Sequence, residues 1–154
     1  MRKHLAAGLA TLAVGMGVAQ PASAAPPQQV SIVVATTFDD LPDDITSVSG
    51  ALGATCTGGI TTDTFFHAAP NVDKWTTNSG KAQLRVGKVF HCAGGEFSAA
   101  LTVTLDFDSQ ETTGTWVITT GTGDFAQLRG HGAISGVPVD GGIEDSYTGV
   151  VTGI

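Results

Sequence analysis

The stretch Gly114-Thr115-Trp116-Val117-Ile118-Thr119-Thr120-Gly121-Thr122-Gly123-Asp124-Phe125-Ala126-Gln127-Leu128-Arg129-Gly130-His131-Gly132-Ala133-Ile134-Ser135-Gly136 decides how this chain folds. Its first part, residues 115–120, is rich in β-branched residues and reads as a strand. Gly121 and Gly123 then allow backbone angles closed to other residues. Asp124 to Arg129 has room for one helical turn only, because Gly130 and Gly132 end it and open a second strand. Phe125 and Leu128, three apart, share one side of that turn and can plug the end of a rolled sheet. This knuckle indicates a fold and names no reaction.

Working outward, residues 97–107 show the cleanest alternation in the chain. Phe97, Ala99, Leu101, Val103, Leu105 and Phe107 take one face, while Glu96, Ser98, Thr102, Thr104, Asp106 and Asp108 take most of the other. One dry face and one wet face suit an antiparallel sheet closed around a core. In residues 81–91, Ala82, Leu84 and Val86 oppose Gln83 and Arg85; beyond Gly87 the phase slips, which predicts a bulge. Residues 143–152 form the last strand, with Ile143, Asp145, Tyr147, Gly149 and Val151 on one face. Toward the N-terminus, residues 30–38 read as the first strand, 39–44 as an acidic turn, and 45–48 and 54–66 as further strand. Residues 72–80 read as a loop carrying Trp75. No segment repeats apolar residues at helical spacing, and turn signals recur roughly every ten residues. The fold class is therefore all-β: a single antiparallel β-barrel of about eight strands, with a β-sandwich as the alternative.

The chain opens with Met-Arg-Lys-His, a short run of Leu, Ala, Gly, Val and Met, and the Ala22-Ser23-Ala24 cleavage pattern. That order predicts a secretory signal peptide over 1–24. A proline-bearing leader (25–29) and one domain (30–154) follow. The run is too short for a spanning helix, and no second apolar span appears, so the mature chain is expected to be secreted without a membrane anchor. Loss of Arg2 and Lys3 takes the net charge from −7 to −9. An acidic surface argues against nucleic-acid or anionic-membrane partners. Cys56 and Cys92, 36 positions apart, suit a disulfide in an exported protein. The rival is a reactive thiol beside His91, but neighbours on a strand point to opposite faces.

The segment from Gly121 to Gly132 resembles a Gly-x-Gly-x-Phe/Leu-x-x-Leu/Ala-x-Gly-x-Gly signature. That signature occurs in the superfamily of plant allene oxide cyclases, dirigent proteins and bacterial barrel proteins of uncharacterised activity. Gly114-Thr115-Trp116, Gly94-Gly95-Glu96-Phe97 and Tyr147-Thr148-Gly149 are similar to the bacterial members, so the resemblance covers residues 90–152. It implies a small eight-stranded barrel, often oligomeric, with an apolar cavity. It also implies that a small apolar ligand is held in one conformation, where positioning supplies most of any effect. No catalytic residue of the plant cyclases carries over to this sequence.

The residues themselves offer little chemistry. Gly121 to Ala126, with Asp140 downstream, formally satisfies a dinucleotide fingerprint, yet the long helix that fingerprint requires has no room. Four carboxylates within 39–44 invite calcium, but their spacing is not that of a calcium loop. There is no Gly-x-Ser-x-Gly elbow. His67, His91 and His131 lack paired ligand spacing, so neither metal nor cofactor is implied. Asp145 and Tyr147 are the candidate catalytic pair. If they face inward, Asp145 needs a partner such as Arg85 or carries a raised pKa; the alternative places Asp145 in water at the barrel mouth. The expected lumen residues are Arg85, Phe97, Leu101, Val103, Leu105 and Trp116. Three readings follow: a binding barrel, a cyclase or isomerase, and an exported module with a solid core. A homo-oligomer is compatible with each.

Overall fold

In the structure, a computed structural model that describes residues 25–37, 41–68 and 79–154, eight strands follow one another around a closed barrel. They are β1 (Gln28–Thr37), β2 (Asp43–Gly50), β3 (Gly59–Ala68), β4 (Lys81–Cys92), β5 (Gly95–Asp106), β6 (Thr112–Gly121), β7 (Arg129–Val139) and β8 (Gly142–Thr152). Every neighbouring pair is antiparallel, and β8 closes on β1 from Gln28↔Val151 to Thr37↔Gly142. Closure removes every sheet edge, so the sandwich alternative is excluded. The signal-peptide segment, the loop carrying Trp75 and Asp39–Asp40 lie outside the described residues.

Up-and-down order gives the barrel two unlike ends. The turns after β2, β4 and β6 gather at one end; those after β5 and β7 lie at the other, where β1 and β3 also end. The first end is closed. Its cork is the knuckle, a single 3-10 turn at Gly123–Phe125. Phe125 and Leu128 are each 1% exposed, as the sequence predicts. The knuckle is tied to the β4–β5 turn through Asp124 N–H to Gly94 O (3.0 Å) and Thr122 N–H to Glu96 O (2.8 Å). Gly123 has φ +56°, and a Cβ there would strike the Gly94 carbonyl, so both turn and approach require glycine. The chain after Gly121 makes one turn and returns, so the long helix of a dinucleotide fold is absent from this segment.

The same end carries the Cys56–Cys92 disulfide, whose two Cα atoms lie 5.0 Å apart. It fastens the β2–β3 turn to the end of β4. The strand expected from residue 54 begins only at Gly59: residues 51–55 form hydrogen-bonded turns, closed by Cys56 N–H donating to Leu52 O at 2.8 Å. The bridge matters because β2 and β3 pair through three residues only, from Asp43↔Thr61 to Ile45↔Gly59. Cys92 packs against the core, whereas His91 points outward and joins Thr62 and Glu96 at 2.8 Å each.

Above the cork, four rings fill the barrel. Phe90 stacks on Phe97 with centroids 4.7 Å apart, Tyr147 meets Phe90 edge-on at 5.4 Å, and Phe125 tilts against Phe97 at 5.4 Å. Such offset and edge contacts add to burial of the ring area. Between these rings and Val30, Ile32, Leu52 and Trp116 only about 10 Å³ of free space remains.

Candidate functional site

The other half of the barrel is hollow. A cavity of about 730 Å³ opens at the end opposite the knuckle. Leu101, Val103 and Leu105 of β5 line it as expected, joined by Leu84 and Val86 of β4 and by Ile134 and Ile143. Phe97 and Trp116 belong instead to the packed half, where Trp116 also gives its indole N–H to Ala133 O at 3.0 Å. Gly130 and Gly132 leave the β7 wall thin beside β8, where a Cβ at Gly132 would meet the Thr148 carbonyl.

Set into this apolar wall is a group of charges, and it corrects the reading of β4. The alternation does not slip at Gly87. Ala82, Leu84, Val86, Lys88 and Phe90 are all buried along one continuous inward face. What resembles a slip is a lysine pointing into the barrel. The irregularity lies across the ladder, where β3 shifts register between Asp63 and Phe65 opposite Gly87. A Cβ at Gly87 would collide with Phe65 and Thr64, so the glycine accommodates its neighbour's bulge.

Lys88 is 4% exposed and holds three partners. Its Nζ donates to Asp43 Oδ2 (2.6 Å), to Asp63 Oδ1 (2.9 Å) and to Thr61 Oγ1 (3.3 Å). Asp43 is therefore not part of an exposed acidic turn: it is the first residue of β2, buried, and it also accepts the Thr37 N–H at 3.0 Å. Burial pushes the Lys88 ammonium toward losing its proton, but the Asp63 and Asp43 carboxylates more than offset this and hold it above its ordinary 10.5. Arg85, proposed as the partner of Asp145, is exposed on the outer face; the cation inside the barrel is Lys88.

Asp145 and Tyr147 both face the lumen and line the cavity. Asp145 is 7% exposed: it lies in the mouth half with Tyr147 below it, as the alternative reading has it, but largely buried there. Thr112 donates its hydroxyl to Asp145 Oδ1 at 2.6 Å and Thr36 to Oδ2 at 3.0 Å. Gly136 makes room for this pair, since a Cβ there would collide with Asp145 Oδ1 and Thr112 Oγ1. Burial raises the Asp145 carboxyl above its ordinary 3.8, against the opposing pull of the two threonine hydroxyls and of Lys88. Tyr147, 1% exposed, forms the cavity floor. Its hydroxyl is the buried side-chain polar atom without a hydrogen-bond partner among the described residues. Burial, then the charges of Asp145, Asp63 and Asp43, hold its proton well above the usual phenol range.

Sequence reasoning thus locates Asp145, Tyr147 and half of the apolar wall, and misses Lys88, Asp43 and Asp63. The missed signal is parity: continuing the alternation of β4 past Gly87 places Lys88 inside. Among the described residues no group of three His, Cys, Asp or Glu side chains has a metal-binding arrangement, and no helix is long and apolar enough to cross a membrane. The fold and site together define a closed eight-stranded barrel, packed at one end and carrying a partly charged cavity at the other. No protein-family description, curated protein or solved structure matches the chain.

Proposed function

We propose that this is an exported binding barrel of the allene oxide cyclase-like type, which holds a small, largely apolar molecule in its open half. The observation that carries this reading is the cavity of about 730 Å³, whose lining sets eight Leu, Val and Ile side chains beside nine Thr, Asp and Lys. A small-molecule site needs roughly 300 Å³ or more. That volume supports binding over a module with a solid core. The disulfide suits an oxidising compartment, in keeping with export. Native mass spectrometry of the mature chain against a lipid and terpenoid panel tests the reading. Retention of a panel member, and its loss when Val103→Trp fills the cavity, is the expected result. No retention across the panel overturns it.

A cyclase or isomerase is the second reading, favoured by a buried Asp145 and, two residues on, a Tyr147 hydroxyl that has no partner among the described residues. Burial raises the Asp145 carboxyl, the direction that favours a general acid–base role. Unchanged turnover of a retained molecule by the Asp145→Asn variant eliminates that assignment.

A further inference from the structure

We infer that the molecule held in this cavity is a cation: a protonated amine on an apolar body, with its ammonium group against Asp145 above Tyr147. This inference rests on the binding reading and adds the chemistry of the ligand's polar end. It follows from which hydrogen-bonding positions the protein leaves open.

Among the described residues, the cavity lining contains the carboxylates of Asp43, Asp63 and Asp145 and one cationic side chain, Lys88. An ammonium has three N–H donors. Those of Lys88 are directed at Asp43, Asp63 and Thr61, which leaves none for an anionic ligand. Three threonine hydroxyls are committed as well, Thr112 and Thr36 to Asp145 and Thr61 to Asp43 at 3.4 Å, while the buried Tyr147 hydroxyl is left open among the described residues. Acceptor capacity is left over. An ionised carboxylate has about four lone-pair sites, and Asp145 receives two hydroxyls. Asp63 is 42% exposed and meets Lys88 through one oxygen, Oδ1. The Tyr147 hydroxyl, buried at the floor, has no partner among the described residues and can accept from an ammonium as well as donate. A ligand carboxylate could take the Tyr147 O–H, but it would add a negative charge to the excess of three carboxylates over one ammonium. A protonated amine brings donors only, together with the missing positive charge, and charge-assisted bonds to carboxylates are the stronger kind. The hydrocarbon wall takes the rest of the molecule.

The experiment is a calorimetric comparison of decylamine, decanol and decanoate on the mature chain at neutral pH, below the concentration at which each self-associates. These probes share an apolar body and differ in the polar end. Decylamine is expected to bind about tenfold more tightly than decanol, and decanoate more weakly than either. Asp145→Asn should remove the advantage of the amine and leave decanol affinity in place. Asp63→Asn, at a half-exposed position and with Asp43 still paired to Lys88, should reduce that advantage severalfold and serves if Asp145→Asn fails to fold. Decanol or decanoate binding as tightly as decylamine overturns the cationic assignment while leaving the binding barrel intact. Binding by none of the three removes the binding reading and this inference with it.

Discussion

The two halves of the barrel are built from the same strands and the same inward-outward alternation, yet are filled in opposite ways. Toward the knuckle, inward positions carry Phe90, Phe97, Trp116, Ile118 and Val151, and about 10 Å³ is left between them. Toward the mouth, the same strands continue with Lys88, Leu101, Thr112, Asp145 and Val103 around about 730 Å³. An eight-stranded barrel has an interior just wide enough for side chains to fill, so shorter or mutually bonded side chains leave a hollow. Stability is therefore concentrated in the aromatic half. The mouth half keeps its charged groups folded in place through ion pairs rather than through packing.

This contrast is broken most directly at Lys88. Lys88→Met leaves Asp43 buried without its counter-charge, and removal of one partner of a buried pair typically costs about 3–5 kcal/mol. The double variant Lys88→Met/Asp43→Leu should recover most of that loss. Urea denaturation checks both, and a Lys88→Met chain as stable as the wild type would show that the mouth does not depend on its ion pairs. Of similar size is Phe125→Ala at the cork, expected to cost about 3–5 kcal/mol because the void it leaves is enclosed. Leu101→Ala, in a wall that already faces free space, should cost nearer the transfer term of about 2 kcal/mol. Equal losses at the two sites would erase the distinction between a packed and a hollow half.

Somewhat smaller is the effect of opening the Cys56–Cys92 bridge. Closing a loop of 36 residues contributes about 3–4 kcal/mol in the chain-entropy description. The loss should appear as a lowered melting temperature for the Cys56→Ser/Cys92→Ser variant. Since β2 and β3 pair through three residues only, amide exchange should accelerate first along that seam. Uniform acceleration around the barrel would show that the bridge acts globally instead.

The same division separates what was legible in the sequence from what was not. The knuckle, the alternation of β5 and the inward face of β8 are local patterns, and each predicts burial correctly: Phe125, Leu101 and Tyr147 are all inside. The charged cluster is not local. Lys88, Asp43 and Asp63 come from three strands, and only the registers Asp43↔Thr61 and Asp63↔Lys88 bring them together. A single strand containing an inward lysine looks like a strand out of phase. An aspartate next to three others looks like a solvated turn. Arg85 was the more visible cation, but the parity that buries Leu84 and Val86 sends it outward.

The smallest effect is also the most specific to the mouth. The Asp145 carboxyl is raised above its ordinary 3.8, so the native state holds that proton more tightly than the unfolded chain does. Its contribution to stability is then full below the unfolded pKa and is lost as pH rises through the folded one. Asp106, lowered first by its bond to Lys81, runs the other way: it supports the fold above the carboxylate range and stops doing so as pH falls. Lys88, held above 10.5, loses its contribution only at alkaline pH, outside the Asp145 window. Subtracting the denaturation free energies of Asp145→Asn from those of the wild type, pH by pH, isolates the aspartate. The difference should move against the wild type as pH climbs just above the ordinary carboxylate range and then level off. A difference that stays flat with pH would mean that Asp145 is as well hydrated as an exposed carboxylate, and the mouth would then owe nothing to burial.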